Sequence, residues 1–121
     1  MNVLTSLQKL LQKLNVEPEL VEFTETMAVI EEAYDFTATP FTNGQTVNDA
    51  DQNNGSCKIF AFAQLNQLSI EQTLACFGQY YREDVLQNPT NDDHQNIRNF
   101  MVTGWSGIQF SSVALQPKAR S

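Results

Sequence analysis

The sequence predicts an α+β fold, predominantly helical, with about five helices packed against a small antiparallel sheet of two or three strands. Three observations carry this prediction. Apolar residues recur at helical spacing in successive stretches of the chain. Segments rich in Thr and Phe, at 36–42, or alternating apolar with polar, at 107–112, have strand character. Asn43-Gly44 and Asn88-Pro89 punctuate the chain as turn or stop signals. The 121 residues support one domain. It is expected over 1–116, with 117–121 as a frayed tail that lacks an apolar anchor.

The elements follow in order. Over residues 3–14, Val3, Leu7, Leu10 and Leu14 form one helical stripe with Leu4 and Leu11 alongside. Gln8, Lys9, Gln12 and Lys13 take the wet face, and Asn15 stops the helix. Pro18 suits the first turn of a second helix, where Leu20, Phe23, Met27, Ile30 and Tyr34 keep the spacing. The short link predicts an antiparallel hairpin of these two helices. Pro40 confines the strand at 36–42 to an edge. Residues 45–56 are polar and read as a loop. Ser56 caps a third helix from Cys57 to about Asn66. Ile59, Phe60, Phe62, Ala63 and Leu65 make it apolar on most sides, which places it centrally. Ser69 and Gln72 form a capping-box pattern that opens a fourth helix, with Ile70, Leu74, Phe77 and Tyr81 inward and Asn88-Pro89 ending it. Asn91 or Asp92 caps a fifth helix through about Thr103, and Gly104 closes it. Trp105 folds back onto the core. Ile108 and Phe110 belong to a strand that pairs antiparallel with 36–42.

Composition excludes several function classes. Fourteen acids against seven bases give a net charge of −7, the wrong sign for a nucleic-acid binder. No apolar run reaches membrane-spanning length, so no membrane contact is expected. The first residues lack a basic region and a small-residue cleavage site, so no secretory signal is expected. Two Cys residues fit a reducing cytoplasm. The charge is uneven: residues 17–35 hold seven acids and no base. Glu22, Glu25 and Glu32 share a helical face there, a candidate binding surface for a basic protein partner.

The sharpest candidate for chemistry is Cys57 with His94. A Cys in the first turn of a helix has a stabilised thiolate, and the chain's single His is available as a base with Asp92, Asp93 or Asn96 to orient it. Backbone N–H groups of the helix start would then receive an oxyanion. Cys57 and Cys76 are also spaced for a redox pair if the third and fourth helices form a hairpin, although Cys76 beside the apolar stripe suits the core. Asp49, Asp51 and Asn53 take the first, third and fifth positions of a calcium loop. Gly55 is one residue late, however, and Phe60 stands where a Glu is needed, so the segment reads as solvated. One His and two separated Cys give no zinc spacing, and no metal or cofactor is expected. Arg82 and Arg98 are placed to pair with Glu83, Asp84, Asp92 or Asp93. Alternatively they hold an anion between the last helices, which puts Arg98 among the candidate binding residues.

The blocks NGSCKIFAFAQL (54–65), LSIEQTLACFGQYYREDVL (68–86) and DHQNIRNFMVTGWSGIQF (93–110), with FTNG (41–44) upstream, resemble the HopJ type III effector protein family. The resemblance is close over about 35–115 and looser over the N-terminal helices. It implies a bacterial protein related to effectors that plant pathogens inject into host cells, and so a host protein as a further class of partner. It brings no catalytic residue, substrate or cofactor. The helical start of the chain differs from the flexible, Ser-rich segment of type III secretion, so the expected compartment is the cytoplasm. The expected function is a non-enzymatic protein-interaction module. The alternative is a small thiol enzyme using Cys57 with His94.

Overall fold

A computed structural model describes residues 5–118. Helix α1, Ser6–Val16, opens on a reciprocal cap. The Thr5 hydroxyl accepts from the Gln8 amide, and the Gln8 side chain accepts from the Thr5 N–H. Leu10 and Leu14 of the expected stripe are buried, whereas Val3 and Leu4 lie outside the described residues. The second helix does not run from Pro18. Pro18–Leu20 form a separate 3₁₀ turn, and α2 covers Phe23–Ala33. The break has a physical cause: Arg82 Nη2 donates to the Val21 carbonyl (2.7 Å), holding the chain extended at Val21 and Glu22. Lys13 reaches Glu25 at 3.0 Å and ties α1 to α2.

The expected strand at 36–42 is two strands. Strand β1, Tyr34–Phe36, pairs antiparallel with β5, Leu115–Pro117, with Phe36 opposite Leu115. The chain then leaves the ladder, and the Thr39 hydroxyl turns back onto the Thr37 carbonyl (2.9 Å). Strand β2, Phe41–Asn43, pairs antiparallel with β4, Ile108–Phe110, the partner expected from the sequence. Its other edge takes β3, Thr46–Asn48, a strand where the polar composition suggests only loop. The tail also departs from expectation. Pro117 sits in β5, and the Lys118 N–H donates to the Ala33 carbonyl (3.0 Å), so the chain is held there instead of fraying. Residues 119–121 lie outside the described part.

Helix α3, Asn54–Leu65, starts three residues ahead of Cys57, and its N-cap is Asn53 instead of Ser56. It is the centre of the core. Phe60 is fully buried, and its ring meets those of Phe41, Phe77, Phe100 and Trp105. Helix α4, Ile70–Ala75, opens on the expected Ser69–Gln72 capping box. The periodic stretch does not continue as one helix. Gly78, at φ +60°, breaks it, and a Cβ there would stand 2.5 Å from the Phe23 nitrogen. The close approach of two backbones therefore demands Gly at this point. A π-helical segment, Tyr80–Val85, follows. Helix α5, Gln95–Thr103, starts after His94, two residues beyond the expected Asp92 cap, and ends at Gly104. The Trp105 indole folds back as expected, donating to the Leu68 carbonyl (3.2 Å) and packing on Phe100.

Candidate functional site

A cleft of about 460 Å³ opens where α3 and α5 begin. Helix α3 contributes Gly55 and Ser56, and α5 contributes Gln95, Asn96 and Ile97. Phe23, Phe77 and Tyr80 form an aromatic wall that continues into His94. Phe23 and Tyr80 meet edge to face at 4.9 Å, and Tyr80 and His94 lie 5.3 Å apart.

The two helix starts share an uncommon construction. Both caps, Asn53 (φ 55°) and His94 (φ 52°), have left-handed backbone, and neither uses its side chain as a cap. The amides of Gly55, Ser56, Gln95 and Asn96 consequently have no acceptor among the described residues. Such first-turn amides carry the positive end of the helix dipole and seek an oxygen acceptor. The π-helical segment adds to the cleft from the other side: it sets Tyr80 on the wall and Asp84 against His94. Segments of this kind are costly and concentrate at functional sites.

His94 Nε2 lies 3.0 Å from Asp84 Oδ2 and 3.8 Å from Asp93, with the ring about one-third exposed. Arg98 meets Asp93 at 2.6 Å, and that hydrogen bond holds the Asp93 carboxyl below its usual range. Behind the cleft lies a buried amide network. Asn43 Nδ2 donates to the Asn96 carbonyl (2.7 Å) and to Asn96 Oδ1 (3.0 Å). Asn48 exchanges hydrogen bonds with Asn96 and accepts one from Asn53. Asn99 adds a bond to Thr46.

The structure rearranges the residues expected to act together. Cys57 is the fourth residue of α3, and its N–H is already bonded to the Asn53 carbonyl. Its sulfur is buried and donates to the Thr39 carbonyl (3.6 Å). Burial pushes the thiol up, more than that hydrogen bond and Lys58 lower it. It does not line the cleft that holds His94, so the expected base is directed elsewhere. Of the residues expected to orient His94, Asp93 lies 3.8 Å from its Nε2, but the closer contact is Asp84, and the Asp92 carbonyl accepts from Gln95 instead. Arg98 pairs with Asp93, one of its expected partners. Arg82 pairs with none of its own and spends one nitrogen on Val21, leaving Nη1 buried without a partner among the described residues.

The acidic face is also divided. Glu22 and Glu25 stay together in a reciprocal cap at the start of α2, with Glu25 also meeting Lys13, whereas Glu32 stands in a separate groove with Tyr34 and Lys118. Asn53 of the calcium-like loop spends its amide on Asn48. Among the described residues no group of three His, Cys, Asp or Glu is placed for a metal ion.

Cys57 and Cys76 are both free and buried, so no disulfide joins them. Burial pushes the Cys76 thiol from 9.0 up to about 12. Above pH 9 the unfolded chain releases this proton and the folded chain keeps it. Stability present below pH 9 therefore falls as pH rises toward 12, by about 1 kcal/mol per pH unit from this group. Urea midpoints at pH 8 and pH 10 are expected to show that fall, and Cys76→Ala should reduce it to the part that the raised Cys57 thiol contributes. An equally steep fall in Cys76→Ala would assign the alkaline weakness elsewhere.

Sequence reasoning missed Asp84 as the His94 partner, Tyr80 as a wall residue and the Asn43–Asn48–Asn96 network. Tyr80 and Asp84 are four apart, a same-face signal that was available. The network left no signal, because polar residues near turns suggest solvent.

The relatives agree with this architecture. A family model described as HopJ type III effector protein matches residues 7–115. A crystal structure of a protein of unknown function, VPA0580, is similar with a TM-score of 0.93 and 63% identity, covering 98% of this chain and 98% of that one. No curated protein matches. With the family match running from α1 to the first residue of β5, the chain belongs to the HopJ type III effector protein family.

Proposed function

We propose that the protein is a non-enzymatic interaction module that uses the cleft between α3 and α5 to hold an acceptor-bearing, partly aromatic group of a partner protein. One observation carries the reading: two helices begin at one aromatic-walled cleft with their first amides unclaimed. Those amides favour a carboxylate or carbonyl oxygen, and Phe23 and Tyr80 offer ring contacts beside it. The net charge of −7 opposes small free anions at long range. A carboxylate attached to an apolar group gains contact area that offsets this. The thiol alternative is the weaker reading, since the Cys57 sulfur is buried, donates to the Thr39 carbonyl and is not part of the cleft lining. The setting we propose is the cytoplasm, with a protein partner there or, after type III delivery, in a host.

N-acetylphenylalanine is a suitable probe, because it joins a carboxylate to a ring. Titration followed by amide resonances is expected to move Gly55, Ser56, Gln95 and Asn96 together, with a Kd of about 1 mM. The corresponding carboxamide should bind about tenfold more weakly, having lost the charge-assisted bonds. If those four amides stay still for both compounds at tens of millimolar, the cleft is not the recognition site.

A further inference from the structure

We infer that Asn48 is the positioning residue of the cleft, a single carboxamide that fastens the starts of α3 and α5 to the same strand. Its side chain is buried at the end of β3. Its Oδ1 accepts from Asn53 Nδ2 (2.7 Å), the cap of α3, and from Asn96 Nδ2 (3.0 Å), in the first turn of α5. Its own Nδ2 donates to Asn96 Oδ1 (3.2 Å) and toward the Phe41 carbonyl (3.4 Å). A carboxamide carries two donor hydrogens and two acceptor lone pairs, so this one side chain is fully used.

The neighbouring bonds lack this reach. Asn43 donates only to Asn96, and Asn99 meets Thr46, so both bind α5 to the hairpin without touching α3. Asn48 joins the two walls. Neither cap holds its own helix by a side chain, so the direction in which each set of free amides points depends on this outside fastening. A buried, satisfied amide network is rigid, and losing its central member releases both ends. The inference rests on the cleft reading only where ligand binding is concerned; the fastening stands apart from it.

Hydrogen exchange tests the fastening without any ligand. The reporters are the Cys57 amide, bonded to the Asn53 carbonyl, and the Ile97 amide, bonded to the His94 carbonyl. In Asn48→Ala both are expected to exchange about tenfold faster, the effect of losing buried hydrogen bonds, while α1 amides change far less. Asn53→Gly, which keeps the left-handed backbone without strain, is expected to speed Cys57 alone, and to add nothing once Asn48 is gone. A full additional effect in the double variant, or acceleration at only one helix start in Asn48→Ala, would overturn the inference.

A second measurement does not require Asn48→Ala to fold. Asn53→Gly, at an exposed position, should shift the Asn96 side-chain amide resonance through the shared Asn48 oxygen, and an unmoved resonance also overturns it. In the binding arm, Asn48→Ala should weaken N-acetylphenylalanine about tenfold although Asn48 does not line the cleft. Unchanged affinity with faster exchange would show that the fastening does not position the cleft. The expected faster exchange in Asn48→Ala, with no probe binding to the wild type, would remove the cleft reading and leave the fastening intact.

Discussion

Replacing Phe60 with alanine is expected to lower stability by about 4 kcal/mol. The side chain is fully buried in the middle of α3, and its ring has neighbours on three other parts of the fold. Phe100 lies at 4.9 Å from α5, Phe77 at 5.6 Å from the turn after α4, and Phe41 at 6.0 Å from β2. Removing the ring takes away its transfer free energy and leaves a cavity that four rigid aromatic groups cannot close. A domain of this size has about 5–15 kcal/mol in total, so much of its margin would go. Urea unfolding followed by the Trp105 emission reads the site directly, because that indole packs against Phe60 and Phe100. The midpoint should fall steeply with an unchanged m-value. A loss below about 1 kcal/mol would mean that the core centre lies elsewhere.

The second large effect is expected at Gly78. Alanine there meets two separate penalties. The backbone is left-handed at φ +60°, which costs a residue with a Cβ about 1–2 kcal/mol. The Cβ would also stand 2.5 Å from the Phe23 nitrogen and 3.2 Å from the Glu22 carbonyl carbon, both backbone atoms that cannot rotate away. The first turn of α2 must move, and Phe23 moves with it. A total loss of about 3 kcal/mol or more is expected, a fall in Tm of about 10 °C. Gly55→Ala is the control. Its Cβ would come within 3.3 Å of the tip of the Phe23 ring, a side chain that can shift, and its backbone is not left-handed. It should therefore cost much less, and equal losses at the two positions would contradict the backbone-contact account. Because Phe23 forms part of the cleft wall, Gly78→Ala should also disturb probe binding.

What the sequence made legible follows from which interactions leave periodic traces. The Ser69–Gln72 box, the Gly104 stop and the pairing of β2 with β4 were readable because local chemistry or alternation encodes them. The Gly78 break was hidden because Leu74, Phe77 and Tyr81 keep helical spacing straight through it. Strand β3 was hidden for the opposite reason. Its one apolar residue, Val47, faces solvent, and Asn48 is held by amides instead of apolar contact. The site was hardest to read. Cys57 and His94 were visible as residue types, yet the helix register places the thiol in the core and turns His94 toward Asp84. Register depends on where a helix starts, and the left-handed caps at Asn53 and His94 lie outside the usual preference for side-chain capping.

The two ladders join residues 34–43 to residues far along the chain: Asn43 lies opposite Ile108, and Tyr34 opposite Pro117. Loop-closure entropy grows only slowly with such separations, so they weigh more on the rate of folding than on the final stability. For a chain emerging from a ribosome the order is strict. The residues ahead of β4 can form helices, but neither β1 nor β2 meets its late partner until residues 108–117 have been made. Until then Phe41, later stacked on Phe110, has only part of its cover. Residues 108–117 therefore work as a latch, and the ladders close only when this segment arrives.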